Sequence, residues 1–156
     1  MNKKPVIFIF SIVIPFIAAA IGSYFTTPSI PTWYASLQKP AFSPPNWIFA
    51  PVWTLLYLLM GISLYLILTQ KSKQPQKPAL TLFAGQLILN TLWSVIFFGL
   101  KSPFFALIDI ILLLIVLALT IKAFSQLSLN ASYLLYPYFA WVAFATILNL
   151  SILILN

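Results

Sequence analysis

Phe104-Phe105-Ala106-Leu107-Ile108-Asp109-Ile110-Ile111-Leu112-Leu113-Leu114-Ile115-Val116-Leu117-Ala118-Leu119-Thr120-Ile121 is apolar except at Asp109 and Thr120. With its flanks, from Pro103 to Gln126, it is long enough as a helix to cross roughly 30 Å of hydrocarbon. It has no alternation of polar and apolar residues, which disfavours a strand of a membrane barrel. Four more runs of this kind surround it, approximately Pro5 to Thr26, Trp47 to Gln70, Ala79 to Leu100 and Ala131 to Leu155. Lys101-Ser102-Pro103 is a very short connection, so the third and fourth runs form an antiparallel hairpin. Asn130 marks the last turn. Lys71-Ser72-Lys73-Gln74-Pro75-Gln76-Lys77-Pro78 is a polar, proline-punctuated link between the second and third runs. The expected fold is an all-α membrane protein. It is one domain over 1–156, a five-transmembrane-helix bundle with a long structured loop, Thr27 to Pro45, between helices 1 and 2.

Composition agrees. Of 156 residues, 62% are hydrophobic and 6% charged, against about a quarter charged in soluble domains. The chain has no Cys and no His. Disulfides and thiolate nucleophiles are excluded, and zinc, copper and ordinary haem ligation lose their usual ligands. No cofactor is expected. The formal net charge of +7 comes from lysines alone. They flank the apolar runs, which sets membrane topology and does not indicate nucleic acid. Lys3, Lys4, Lys71, Lys73, Lys77 and Lys122 fall on the N-terminal side, Lys39 and Lys101 on the other. That bias predicts a cytoplasmic N-terminus in a bacterial cell membrane and an outward-facing first loop. Lys3 and Lys4 ahead of an apolar run ending Ala18-Ala19-Ala20 have the order of a secretory signal. Pro15 interrupts that run, however, and hydrophobicity continues to Phe25, so the segment is read as the first span.

The residues foreign to lipid share one depth. Gln86, Asn90, Trp93 and Phe97 form one helical stripe; Trp141, Ala145 and Asn149 form another; Trp53, Tyr57 and Gly61 a third. Pro15, Ala19, Gly22 and Thr26 give the first span a small-residue face for close packing. At 1.5 Å per residue, Trp53, Trp93, Asp109 and Asn149 lie roughly 9–10 Å inside the loop side, Asn90 and Ala145 about 14–15 Å, and Trp141 about 20 Å. Differently directed helices thus place polar and aromatic residues in one half of the membrane, and a single pocket there is expected. Asp109, the sole acid, must face the interior, be protonated or pair; a helix–helix hydrogen bond is one reading and a polar group of the pocket the other. Pro28, Pro31, Pro40, Pro44 and Pro45 stiffen the loop over that half. Trp33, Tyr34 and Phe42 give it broad apolar faces, and Asn46 is the expected N-cap of span two. Trp33 and Trp47 also suit the membrane interface.

Several segments resemble the tryptophan-rich sensory protein (TspO) family, which includes the mitochondrial translocator protein, also called the peripheral benzodiazepine receptor. They are Trp33-Tyr34-Ala35-Ser36-Leu37-Gln38-Lys39-Pro40, Pro44-Pro45-Asn46-Trp47, Ala50-Pro51-Val52-Trp53, Gly85-Gln86-Leu87 with Leu89-Asn90 and Trp93, and Tyr136 through Asn149. The resemblance implies a five-helix homodimer that binds porphyrins such as protoporphyrin IX and benzodiazepine or isoquinoline-type drugs. It places ligand contacts at Tyr34, Trp53, Tyr57, Asn90, Trp93, Asp109, Trp141 and Ala145. It also gives Trp53 and Trp141 a part in light-dependent porphyrin breakdown. Animal members carry a cholesterol motif with Tyr and Arg after the Leu-Asn pair. Here Leu148-Asn149 is followed by Leu150-Ser151-Ile152-Leu153-Ile154-Leu155-Asn156, with neither residue, so cholesterol binding is doubtful.

With the ligands that the resemblance implies, three functions stay open: porphyrin capture with photochemical degradation, transport of tetrapyrroles or other small amphiphiles, and ligand-responsive sensing through a docked partner. One acid and no His exclude the usual hydrolytic schemes. No internal repeat or pair of broken spans of the secondary-carrier type is visible.

Overall fold

The computed structural model describes residues 4–71 and 75–156. Lys3 and Lys73, both counted in the charge bias, lie outside the described residues. The helices are α1 (Lys4–Ser29), α2 (Trp33–Ser36), α3 (Asn46–Thr69), α4 (Lys77–Ser94), α5 (Pro103–Leu127), α6 (Leu129–Tyr133) and α7 (Tyr136–Leu155). A π-helical turn, Val95–Gly99, continues α4. All regular structure among the described residues is helical. The five membrane-spanning units are α1, α3, α4 with its π turn, α5, and α6 with α7.

Boundaries differ from expectation at three places, each for a local reason. Helix α1 runs past Thr26 to Ser29, helped by the Thr26 hydroxyl, which donates to the Gly22 carbonyl at 2.9 Å. Asn46 is not the cap of α3. Pro45 holds that position, with φ −57° and ψ 143°, and no side chain caps the helix. The proline ring already fixes the extended entry, which leaves Asn46 as the first helical residue. Asn130 lies inside α6; the break falls at Ser128, whose hydroxyl accepts from the Ala131 amide at 3.3 Å. Serine satisfies an orphan amide at a helix start, and the chain breaks where that is possible.

Without a hydrophobic force between helices in lipid, close approach of small residues holds a bundle together. At Gly61, an added Cβ would sit 2.7 Å from Ile12 Cδ1 and 2.9 Å from Ile12 Cα, so α3 rests on the backbone of α1. At Gly22 the same atom would meet Ser94 Oγ at 3.1 Å, joining α1 to α4. Gly85 faces Val116 of α5 with ordinary clearance, 3.7 Å. Gly22 and Gly85 thus both face other helices of the same chain. Helix α5 contributes Ile110, Leu113, Leu117 and Phe124 to the core, all buried, with the Phe124 ring stacked on Phe83 at 5.7 Å. Ser63 of α3 donates to the Ala131 carbonyl of α6 at 2.7 Å and closes the end away from the long loop.

At the loop end the bundle is looser. Helix α3 packs on α1, α1 on α4, α4 on α5, and α5 on α7, but α3 and α7 share little close backbone packing. Between Asn46 and Leu55 no residue of α3 is buried, whereas Leu56, Tyr57, Met60, Gly61, Ser63, Leu64 and Ile67 all are. The first turns of α3 are thus not packed into the core in the half that the long loop covers, and a space opens there.

Candidate ligand-binding site

That space is a cavity of about 260 Å³. Its wall comes from α1, α2, α3, the end of α4 with the π turn, and α7; α5 contributes nothing to it. Six of the expected residues are on the wall: Tyr34, Trp53, Tyr57, Trp93, Trp141 and Ala145. They come from four helices and lie together, as equal depth on differently directed spans implied.

The aromatic part of the wall is cross-braced. Trp53 stacks on Tyr57, with centroids 5.6 Å apart and 30° between planes, and meets Tyr138 edge-on at 6.1 Å. Trp93 stacks on Phe97 at 5.2 Å. Trp141 contacts Phe49 at 5.9 Å and Phe144 at 5.5 Å. The π turn matters here. It closes with a bond from the Leu100 amide to the Val95 carbonyl at 2.9 Å and widens the helix where Phe97 and Phe98 join the wall. Such turns recur at functional sites. Ser29 fixes it from α1 by donating to the Phe98 carbonyl at 3.0 Å. The chain then reverses at Lys101, which takes φ 54°, a conformation uncommon outside glycine.

Asn90 and Asp109 are not on the wall. Asn90 sits behind it, accepting from the Tyr57 hydroxyl and donating to Tyr138 Oη at 3.0 Å. It orients two phenols, both of which touch Trp53. Asp109 is buried on α5, and its Oδ2 has no hydrogen-bond partner among the described residues. Its depth was estimated from chain position; depth says nothing of which way a side chain faces around the bundle. Helix α5 packs behind α4 and α7, so Asp109 reaches the right level on the far side of the wall.

Other wall residues escaped the sequence reading. Phe49, Thr54, Ser23, Thr27, Ile30 and Ser94 all line the cavity. Ser23 and Thr27 follow Ala19 at intervals of four, so the stripe that singled out Ala19 could have found them. Asn46, expected only as a cap, also lines it. Asn149 lines it and ties the wall together: it accepts from Trp93 Nε1 at 3.2 Å and donates to the Pro103 carbonyl at 2.8 Å.

The loop forms the roof. Tyr34 is buried against Phe98 at 5.7 Å and Phe97 at 6.3 Å, and Trp33 packs edge-on against Phe97 at 5.5 Å, so Trp33 is a packing residue more than a free interfacial one. Trp47, 74% exposed, keeps the interfacial position. The Asn156 amide accepts from the Gln38 amide at 2.9 Å and donates to the Gln38 carbonyl at 3.0 Å, fastening the loop to the end of α7. Lys39 lies over the Tyr34 ring at 4.5 Å. Among the described residues, none that lines the cavity is charged. The arrangement suits an uncharged, flat, aromatic surface that stacks on indole and phenol rings.

Residues 11–155 match the TspO/MBR family. A tryptophan-rich protein TspO from Archaeoglobus fulgidus is 49% identical over 135 residues, covering 86% of this chain and 87% of its own length. Another from Chlorobaculum tepidum is 43% identical over 157 residues, covering 100% of this chain and 99% of its own. The human translocator protein is 43% identical over 141 residues, covering 86% and 81%. The match takes in every wall residue and all five tryptophans, and with five helices fit to cross a membrane the chain is an integral membrane protein belonging to the TspO/MBR family.

Proposed function

We propose that the chain is a membrane receptor for porphyrins such as protoporphyrin IX and for drug-like aromatic amphiphiles of the benzodiazepine and isoquinoline type. The observation that carries this reading is a loop-roofed cavity walled by Trp53, Trp93 and Trp141 and free of charge. Ring stacking on such a wall is favourable for any flat π-system. The volume lies just below the roughly 300–1,000 Å³ common for small-molecule sites. A macrocycle would insert part of its ring, and its carboxylates would stay outside, since burying an unpaired carboxylate is strongly unfavourable. Ligand contacts are assigned to Tyr34, Trp53, Tyr57, Trp93, Trp141 and Ala145. Asn90 acts through the two tyrosines, and Asp109 holds a place in the bundle.

Under light, an excited porphyrin on this wall accepts one electron from the Trp53 or Trp141 indole. The indole is oxidised to a radical cation and the porphyrin reduced to a radical anion, which passes the electron to dioxygen and gives superoxide; the indole recovers its electron from the porphyrin, and the resulting porphyrin radical cation combines with superoxide in a C–O bond whose O–O cleavage opens the ring. The test is titration of the purified protein with protoporphyrin IX, following tryptophan quenching, then illumination with absorption spectra over time. Saturable quenching and a protein-dependent product support the reading. Saturable quenching without such a product leaves a binding, sensing or transport protein, and no saturable quenching removes porphyrin. A homodimer in a bacterial cell membrane, with the N-terminus cytoplasmic and the long loop outside, completes the proposal. Lys4, Lys71, Lys77 and Lys122 against Lys39 and Lys101 support that orientation.

A further inference from the structure

Behind the cavity wall, two buried polar functions on neighbouring helices have no partner among the described residues. One is Asp109 Oδ2 on α5. The other is the hydroxyl hydrogen of Tyr138 on α7. Tyr138 Oη accepts from Asn90 Nδ2 at 3.0 Å, which occupies an oxygen lone pair and leaves the phenolic proton to be donated elsewhere. No acceptor among the described residues takes it. Tyr138 is 0% exposed and Asp109 7%. Helices α5 and α7 pack together, with Asn149 bonded to Pro103 across them. The Asp109 carboxylate is among the charges that act on the Tyr138 phenol. The chain supplies no other side-chain base of this kind, since Asp109 is its only acid and it has no His.

The same phenol is coupled to the cavity through one ring. Tyr138 is not on the wall, but it meets Trp53 edge-on at 6.1 Å, and Trp53 is on the wall. Tyr57 stacks on Trp53 at 5.6 Å, yet its situation differs in two ways. Its ring lines the cavity, so it stands beside any ligand. Its hydroxyl proton is committed to Asn90 Oδ1, an amide oxygen and a far weaker base than a carboxylate. Asn90 therefore sorts the two phenols: it holds the proton of Tyr57 and leaves that of Tyr138 available. The difference matters beside an oxidised indole. A phenol yields an electron to an indole radical cation readily only if its proton leaves in the same event, because a phenol radical cation is much harder to form than a neutral phenoxyl radical.

We infer that Tyr138 and Asp109 form a radical relay behind the cavity, which takes the electron hole from Trp53 and holds it one ring further from the bound ligand. Tyr138 gives one electron to the Trp53 radical cation and its hydroxyl proton to the Asp109 carboxylate. No hydrogen bond joins the two groups, so one bridging water carries the proton; such waters occupy buried sites that offer polar partners. The phenolic O–H bond breaks and a carboxylic O–H bond forms. A positive indole and a negative carboxylate become a neutral indole, a neutral phenoxyl radical and a neutral acid. Neutralising two charges in a low-dielectric interior favours the step. The purpose of the relay rests on the proposed porphyrin photochemistry; the step itself does not. With the hole on Tyr138, the porphyrin radical anion has no adjacent hole to recombine with, and dioxygen gains time to take its electron. The relay then runs backwards: Asp109 returns the proton, Trp53 returns the electron, and the porphyrin refills Trp53.

Two measurements test it on the full chain in lipid nanodiscs. The first uses no porphyrin. An ultraviolet laser pulse ionises tryptophan, and transient absorption follows the decay of tryptophan radicals and the rise of tyrosine radicals. A phase converting one into the other is expected in wild-type protein and in Tyr57→Phe, and its loss is expected in Trp53→Phe and in Tyr138→Phe. Asp109→Asn is expected to slow it by about a hundredfold, as removal of a positioned proton acceptor does, and Asp109→Glu to restore it. A phase that survives in Tyr138→Phe, or is lost in Tyr57→Phe instead, overturns the relay. A wild-type rate in Asp109→Asn overturns the assignment of the proton acceptor. The second measurement uses protoporphyrin IX under light, with radicals trapped by freezing and read by electron paramagnetic resonance. The expected spectrum narrows when the tyrosine rings are deuterated and changes to that of a tryptophan radical in Tyr138→Phe. A tryptophan radical in wild-type protein leaves the hole on the wall and overturns the relay. If protoporphyrin IX gives no saturable quenching, the porphyrin reading falls while the ultraviolet measurement still decides the relay.

Discussion

Trp93 Nε1 donates to Asn149 Oδ1 at 3.2 Å, joining α4 to α7 at the cavity wall. Asn149 then donates to the Pro103 carbonyl at 2.8 Å, at the first residue of α5. One amide thus holds three spans. The Pro103 carbonyl opens α5 and has a second lone pair beyond its place in the helix, and the Asn149 amide donates to it inside the membrane, where water does not.

Asn149→Leu removes both bonds and leaves the Trp93 indole N–H without its partner. Interhelical hydrogen bonds in membranes average about 0.6 kcal/mol and reach about 1.7, so a loss of ~1–2 kcal/mol is expected for the pair. Thermal unfolding in detergent should show a lower midpoint. An unchanged midpoint would mean that the freed groups find other partners.

Gly61→Ala is expected to be the most damaging glycine replacement in the spans. The new methyl would overlap both the side chain and the backbone of Ile12, and overpacking of a tight contact costs typically 1–3 kcal/mol. Gly85→Ala, with 3.7 Å of clearance to Val116, should be neutral. Comparing the unfolding midpoints of the two variants checks the expectation; equal effects would overturn the close α1–α3 contact.

Trp53→Phe combined with Trp141→Phe keeps aromatic surface on the wall but removes both indoles. Protoporphyrin binding by quenching of the remaining tryptophans should persist, while the rate of light-dependent loss of the porphyrin spectrum should fall at least about tenfold, or ~1.4 kcal/mol in activation free energy. Unchanged breakdown would rule out these indoles as electron donors.

Asp109→Asn should leave ligand affinity within about twofold of wild type, because α5 gives no residue to the cavity wall. Stability should hold or rise slightly, since an amide is less unfavourable than a carboxylate at that depth. A large loss of affinity would move Asp109 back into the site, and loss of folded protein would point to a charge pair.

Asn90→Leu separates support from contact. It removes the partner of Tyr57 and Tyr138, the two phenols against Trp53. Tryptophan emission should shift and broaden while ligand affinity falls only modestly, by about fivefold or ~1 kcal/mol. Emission identical to wild type would mean that Trp53 is held by packing alone.

Much of the fold was legible in the chain. Apolar runs of spanning length, separated by lysine- and proline-marked breaks, specify five membrane helices, because lipid offers no partner for a free backbone amide or carbonyl. The axial level of Trp53, Trp93, Trp141 and Asn149 followed from helix rise alone, and these residues do meet at one cavity. Helix ends were less legible. Pro45, Ser128 and the π turn at Val95–Gly99 depend on which backbone groups are satisfied locally, a competition that hydrophobic patterning does not encode.

The sequence by itself determined that this is a five-helix membrane protein of the TspO/MBR kind, with aromatic residues gathered in one half of the bilayer. Tertiary structure alone decided which of those residues face one another. A residue's depth is a property of its own helix, but its direction around the bundle depends on how neighbouring helices pack. That packing put Tyr57 on the wall and Asn90 behind it, and set Asp109 on the far side. It also drew α3 against α1 at Gly61.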